Sequence, residues 1–295
     1  MPISDAGSLW VGGFFMQELN GRVAVVTGGA SGIGFGLASR FAAEGMKIVL
    51  GDIEETSLDE AVAKLNAAGA EVIGVRTDVS DAAQVQALAH AAVEEFGAIH
   101  VACNNAGVGA GGISWEAPLD TWEWVFGANL WGVIHGVRSF VPIMMKQPEA
   151  HVVNTASVAG LVAGPFMGPY NASKHAVVAL SETLHHEMAI MAPHVKVSVL
   201  CPGWVQTRIA ESARNRPTSE ANDPASNAGF AQILKPLIDN GLPPEEVAAD
   251  VLAAIRAEQF WVLPHDDVDE SWVKLVNARA QSLIDRTNPT FRSML

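Results

Sequence analysis

This chain of 295 residues has one tyrosine, two cysteines and only 18 basic residues against 32 acidic ones. Two cysteines cannot build a disulfide scaffold. Cys103 and Cys201 both sit inside strand-like apolar runs and read as small buried hydrophobes of a chain kept in a reducing, cytoplasmic compartment. The shortage of lysine and arginine leaves a formal charge of −14. That excludes sequence-independent nucleic-acid binding, which needs a basic face to displace phosphate counterions. No apolar run reaches the ~20 residues of a bilayer span, so no membrane is expected as a partner. Residues 1–19 carry Trp10, Phe14 and Phe15 without a basic residue ahead of them, and so lack the n-region of a secretory signal. They read as an N-terminal extension: an ordered arm, a flexible leader, or the product of an upstream start codon, with Met16 as the alternative start.

What the chain has in quantity is apolar residues, 49% of the total, enough for a large buried core in residues 20–295 as a single domain. Short β-branched runs alternate with alanine-rich amphipathic stretches, the pattern of βαβ units. Strands are predicted at Arg22–Thr27, Lys47–Gly51, Glu71–Thr77, His100–Asn104, His151–Thr155, Lys196–Leu200 and Phe260–Leu263. Helices are predicted at Ile33–Glu44, Glu54–Ala68, Ala82–Phe96, Leu119–Met145, Tyr170–Met191 and Pro244–Glu258, with another near Glu270–Ile284. Right-handed crossovers then give an α/β fold, a doubly wound Rossmann-type parallel sheet of order 3-2-1-4-5-6-7 with helices on both faces. Its ligand crevice lies at the carboxyl ends of the strands. Residues 203–241 carry Pro217, Pro224 and Pro236 with little periodicity and read as a substrate-covering loop.

The first strand runs into Thr27-Gly28-Gly29-Ala30-Ser31-Gly32-Ile33-Gly34 and then a helix. Glycines let a backbone turn tightly against a pyrophosphate, and a helix N-terminus offers free N–H groups and partial positive charge. Asp52 ends the second strand, 18 residues beyond Gly34, where an acid accepts hydrogen bonds from the adenosine ribose hydroxyls. A 2′-phosphate would be repelled there, and neither Ser31 nor Ile53 supplies a cation, so NAD is favoured over NADP. Asp78, closing the third strand, is placed to meet the adenine amino group. Capping does not explain it, because Ser80 and Asp81 are nearer the next helix. Asn104-Asn105-Ala106-Gly107 ends the fourth strand in a tight turn suited to lie beneath the ribose.

Tyr170 and Lys174 are one helical turn apart and share a face. A free phenol with a pKa near 10 is a poor base. A neighbouring cation, together with an oxidised nicotinamide ring, would lower it. Ser157 follows the fifth strand at the crevice edge and can hold a substrate carbonyl oxygen. Asn129, inside a predicted helix, reads as an amide that bends the helix and holds a water leading from Lys174 to solvent. His185 and His186 have no carboxylate or cysteine at ligand spacing, so no metal is expected. Trp115, Trp122, Trp124 and Trp131 read as core or interface packing, with Trp115 in a loop near the crevice.

With these motifs in order across residues 20–265, the chain resembles the short-chain dehydrogenase/reductase family in its single-domain form. The resemblance implies a tetrad of Asn129, Ser157, Tyr170 and Lys174. Tyr170 is then the acid/base and Ser157 orients the substrate. Lys174 binds ribose hydroxyls and lowers the tyrosine pKa, and Asn129 supports a water relay. It also implies cofactor contacts from Ile33, Ile53, Val79, Asn105, Ala106 and Gly107. Pro202-Gly203-Trp204-Val205-Gln206-Thr207 meets the nicotinamide carboxamide through the Val205 backbone and the Thr207 hydroxyl. A homo-oligomer is implied as well, a tetramer or dimer formed through residues 119–145 and 170–191. The reaction implied is hydride transfer between NAD and a secondary alcohol or ketone. An NAD-dependent epimerase or dehydratase and a non-catalytic dinucleotide sensor are the alternatives. Trp115, Phe166, Met167, Trp204 and Ile209 around the expected pocket, with no arginine cluster near it, point to a bulky apolar or aromatic substrate. Thr207–Pro217 is similar to the corresponding stretch of bacterial dehydrogenases that oxidise the benzylic alcohol of lignin-derived aryl ethers.

Overall fold

Strands covered on both faces must be apolar at successive positions, and Val23–Thr27 (β1) meets that demand, every residue of it buried. Its side chains alternate between two layers. Ala24 and Val26 enter a core with Leu37, Phe41 and Val251. Val23 and Val25 enter the opposite one with Leu88, Phe140 and Met144. The structure, a computed structural model, describes residues 16–217, 232, 234–265 and 272–289. Residues 1–15, with Trp10, Phe14 and Phe15, and much of the expected substrate loop lie outside the described residues. Met16 and Leu19 are buried in the first core.

The other strands are Lys47–Asp52 (β2), Val72–Arg76 (β3), Val101–Asn104 (β4), Ala150–Thr155 (β5), Val195–Leu200 (β6) and Trp261–Val262 (β7), all parallel in the order β3-β2-β1-β4-β5-β6-β7. The order reverses between β1 and β4, and the crevice opens at the carboxyl ends of these two strands. Helices Gly32–Ala43 (α1), Glu55–Ala67 (α2) and Ala82–Phe96 (α3) connect the first half.

The second half departs from expectation at one place. The helix predicted over 119–145 is Leu119–Phe126 (α4) and Gly132–Met144 (α5), joined by a π-helical turn at Gly127–Trp131 in which Gly132 N–H bonds to Gly127 C=O. Such a turn adds one residue and shifts the angular register of the side chains around it, and Asn129 is turned fully inward. Gly168–Met191 (α6), Pro244–Ala257 (α7) and Trp272–Asp285 (α8) follow. No helix among the described residues is long and apolar enough to cross a membrane.

At the amino ends of the strands, His151 is buried with Nε2 2.7 Å from Ser198 Oγ, and His100 Nδ1 accepts from Val23 N–H at 3.1 Å. Burial lowers His151 to about 3 and His100 to about 4. Both are neutral when folded, and the unfolded chain takes up their protons first, near pH 6.5. Stability present above that value is therefore lost as pH falls toward 4, by roughly 3 kcal/mol for His151. Thermal melts from pH 7 to 4 should show the decline, and His151→Gln should flatten it; an unchanged slope in the variant refutes the assignment.

Candidate active site

Six strand ends supply the site, and a small hydrogen-bonded knot holds three of them. Thr27 Oγ1 accepts from Asn105 N–H (2.9 Å) and Ala106 N–H (3.1 Å). Asn105 Nδ2 donates to Thr27 C=O at 3.0 Å and Gly28 C=O at 3.3 Å, and its Oδ1 accepts from Thr155 Oγ1 at 3.4 Å. Thr27 and Thr155 carry this knot, yet as ordinary β-branched strand residues they give no sign of it in sequence.

Against the knot lies the glycine turn. Gly28 has φ +63°, and a Cβ on it would stand 2.8 Å from Ala106 Cα. A Cβ on Gly34 would stand only 2.0 Å from Gly28 O. Ser31 is the N-cap of α1 but makes no capping side-chain bond, whereas Asp81 caps α3 by accepting from Ala83 N–H. The first turn of α1 therefore keeps donors uncapped by Ser31 beside a cradle that any side chain would fill, a fit to the pyrophosphate of a dinucleotide.

Asp52 accepts from Ala30 N–H and Glu54 N–H, both at 3.0 Å. Burial pushes its carboxyl above the usual range, and these backbone donors oppose the rise. Asp78 does not cap a helix; its Oδ1 accepts from Ser80 N–H and Ser80 Oγ. Both acids line a cleft of about 580 Å³ that also takes in Ser31, Ile33, Ile53 and Val79.

The cleft runs on to Ser157, Tyr170 and Lys174. Pro169 sits in the first turn of α6, where its missing N–H costs nothing. One turn on, Lys174 Nζ stands 5.8 Å from the Tyr170 ring centroid and donates to Thr155 C=O at 2.9 Å. Gly160 lets the serine turn abut this helix, for a Cβ there would lie 2.6 Å from Lys174 O. Ser157 Oγ accepts from Ala159 N–H at 3.1 Å, which holds it in place.

Burial raises the Tyr170 pKa, and the Ser157 hydroxyl opposes the rise. The ammonium is aimed at the Thr155 carbonyl, and burial lowers Lys174 itself to about 8. The Asn129 amide is tied to the chain beside it: Oδ1 accepts from Val108 N–H (2.7 Å), and Nδ2 donates to Val108 C=O (3.0 Å) and Ser173 Oγ (3.2 Å). It anchors the wall beside Gly107, where a Cβ would meet Asn129 Oδ1 at 3.2 Å and Lys174 Nζ at 3.5 Å.

Since the folded lysine releases its proton near 8 and the unfolded one near 10.5, the fold gains stability as pH rises between those values. Lys174→Met should remove that gain. Its stability relative to the parent should be highest at pH 7 and decline by roughly 2–3 kcal/mol toward pH 10.5. Denaturant unfolding of both proteins at the two pH values checks this, and a constant difference refutes it.

The segment after β6 closes the cleft. Trp204 C=O accepts from Leu242 N–H, and Gln206 N–H bonds to Leu242 C=O, both at 2.9 Å. In parallel pairing this leaves the N–H and C=O of Val205 pointing away from Leu242. Thr207 packs on Gly32, where a Cβ would lie 2.9 Å from its Cγ2. Pro202, Gly203, Met167, Trp204 and Ile209 line the cleft. Trp115 and Phe166 do not: they are 84% and 59% exposed. Phe166 sits in a turn at φ +63° whose carbonyl accepts from Gly112 N–H, and this fixes its side chain outward.

The expected absence of arginines is also overturned, for Arg208, Arg214 and Arg216 all line the cleft. Each is paired, Arg208 and Arg214 with Glu54 and Arg216 with Asp120. Trp272, beyond the expected family match, reaches the same cleft against Gly203.

A family model described as short chain dehydrogenase matches residues 22–218. Among solved structures, a short chain dehydrogenase/reductase from Burkholderia phymatum in complex with NAD aligns with a TM-score of 0.90 and 48% identity, covering 95% of this chain and 100% of that one. The CLA biosynthesis dehydrogenase/reductase of Lactiplantibacillus plantarum is 35% identical over 259 residues, 85% of this chain and 91% of its own. The C alpha-dehydrogenase of Sphingobium sp. strain SYK-6 is 31% identical over 277 residues, 93% of this chain and 89% of its own.

Proposed function

The chain belongs to the short-chain dehydrogenase family, and on that premise we propose that it transfers hydride between NAD and a bulky apolar or aromatic secondary alcohol or its ketone. The observation that carries this reading is the convergence of Ser157, Tyr170 and Lys174 on one wall of a cleft whose far end holds Asp52. Tyr170 takes the proton from the carbinol oxygen in oxidation and returns it to the carbonyl oxygen in reduction. Ser157 Oγ holds that oxygen. Lys174 holds positive charge below the phenol and meets the nicotinamide ribose, while Asn129 fixes the wall that positions both. When bound, NAD supplies the hydride acceptor and, oxidised, a further positive charge beside Tyr170.

The α1 N-terminus would hold the pyrophosphate, Asp52 the adenosine ribose, Asp78 the adenine amino group, and Asn105–Gly107 the surface beneath the ribose. The Val205 backbone and Thr207 would meet the carboxamide. The NAD complex of the Burkholderia phymatum relative supports the cofactor. Similarity to a C alpha-dehydrogenase, with Met167, Trp204 and Ile209 in the cleft, supports an aromatic alcohol. Initial rates with NAD and NADP over a panel of bulky secondary alcohols test the reading. Turnover of aryl carbinols with NAD is expected, and a large preference for NADP overturns the Asp52 argument.

The two buried free thiols suit a cytoplasmic enzyme. Exposed Trp131, Ile190 and Met191 on α4–α5 and α6 suit an oligomer formed through those helices. Light scattering should give four or two times the chain mass of 31.1 kDa; a monomer refutes the assembly.

A further inference from the structure

Glu54 lies two residues beyond Asp52, and its own N–H donates to Asp52 Oδ1 at 3.0 Å. Its carboxylate reaches across the cleft to the segment after β6. Arg214 Nε (2.8 Å), Arg214 Nη2 (2.7 Å) and Asn215 Nδ2 (2.8 Å) all converge on Glu54 Oε1. Arg208 Nη1 stands 3.8 Å from Oε2, and Arg214 Nη1 also donates to Arg208 C=O at 3.1 Å. Glu54 and Arg214 are about a quarter exposed, at 23% and 27%. These groups line the same cleft as Asp52 and the glycine turn.

A guanidinium beside the adenosine ribose is what a 2′-phosphate needs, because its planar fork matches phosphate oxygens. This chain brings two guanidiniums to that neighbourhood: Arg214 is committed to Glu54, whereas Arg208 bonds Glu211 at 2.9 Å and stands farther, 3.8 Å, from Glu54. We propose that Glu54 is a specificity-determining residue for the cofactor, excluding a 2′-phosphate both by its own charge beside Asp52 and by holding Arg214 away from it. The inference rests on the NAD reading given above and adds to it a residue outside the Asp52 position. Burial pushes the Glu54 carboxyl up, but the bonds from Arg214 and Asn215 and the charges of Arg214 and Arg208 hold it below its ordinary range, so it is ionised wherever the enzyme works.

The test is direct binding, measured by calorimetry, of NAD, NADP, 5′-AMP and adenosine 2′,5′-bisphosphate. The parent is compared with Asp52→Asn, Asp52→Asn/Glu54→Gln, and the latter with Arg214→Met added. Asp52→Asn alone should tighten NADP and the bisphosphate by less than about tenfold, because Glu54 still holds Arg214. Adding Glu54→Gln should tighten them a further ten- to hundredfold, the range of one or two charge-assisted hydrogen bonds. Arg214→Met should cancel most of that gain while 5′-AMP binding changes little. The proposal is overturned if the double variant, with a melting temperature near the parent's, binds NADP no better than Asp52→Asn does. It is equally overturned if Arg214→Met leaves the gain intact. Should the double variant not fold, Glu54→Gln alone decides: the NADP-to-NAD affinity ratio rises at least fivefold, or the proposal fails. The NAD reading fails separately, on the parent protein, if NADP binds more tightly than NAD.

Discussion

Tyr170→Phe is expected to lower kcat about a thousandfold in both directions, with NAD affinity changed by less than about threefold. Removing a general acid/base typically costs 10²–10⁴ in rate, and a thousandfold is about 4 kcal/mol of transition-state stabilisation. Phenylalanine keeps the ring that packs beside Lys174, so the wall of the cleft stays in place and binding survives. Ser157 does not replace the phenol, because an aliphatic hydroxyl is a far weaker acid than a phenol and this one donates to Pro202 C=O at 3.4 Å. The pH profile separates a proton-transfer role from a packing role. Burial raises Tyr170 and lowers Lys174. Alcohol oxidation needs the deprotonated phenol and should rise with pH; ketone reduction needs the protonated one and should fall. Both limbs should flatten in Tyr170→Phe. A variant within tenfold of the parent rate, or with an unchanged profile, overturns the assignment.

Gly34→Ala should be the most damaging small change in the cofactor half. The new methyl would stand 2.0 Å from Gly28 O and 2.6 Å from Asn105 Nδ2. No rotamer relieves a clash between Cβ and a backbone carbonyl, so α1 and the glycine turn must separate by more than an ångström. That separation breaks the Asn105 Nδ2 bonds to Thr27 and Gly28 and with them the knot under the nucleotide. Overpacking of this kind costs on the order of 3 kcal/mol or more, which lowers the melting temperature by several degrees. NAD affinity should fall at least a hundredfold. Ser31→Ala is the control: Ser31 makes no side-chain cap bond, so the usual loss on removing an N-cap should be absent and the melting temperature should hold. Gly136→Ala strains a different bond, because its Cβ would stand 1.7 Å from the Oδ1 of Asn104, whose Nδ2 donates to Asn154 Oδ1 across the sheet. It should lower stability while the fraction that folds still binds NAD. A Gly34→Ala protein that melts within about 2 °C of the parent and binds NAD within threefold refutes the account.

Local repeats made much of this molecule legible before any coordinates. Continuous β-branched runs mark strands buried on both faces, because both of their faces must be apolar, and the predicted strands appear in the predicted order. The i, i+4 spacing of Tyr170 and Lys174 places them on one face whatever the rest of the chain does. The glycine turn is legible as a glycine run between a strand and a helix, although the approaches that require glycine at 28 and 32 come from the distant Ala106 and Thr207. The break at Gly127–Trp131 lay half hidden. Asn129 was an evident anomaly inside a helix, but its bonds to Val108 and Ser173 are made with segments 21 and 44 residues away.

Sequence by itself determined the class of the fold, the place of the crevice and the identity of the groups at its two ends, because backbone periodicity and chain order suffice for these. Tertiary structure decided which partners those groups have. It turned Trp115 and Phe166 outward, tied Thr27 to Asn105 across 78 residues and brought Arg214 onto Glu54 across 160. It also set the direction of the Tyr170 shift, because withdrawal of a phenol from water depends on everything packed around it. Residue spacing records which side chains share a helix face or a strand end. Burial and long-range pairing arise only when the crossovers close the sheet, and it is these that make a cleft selective.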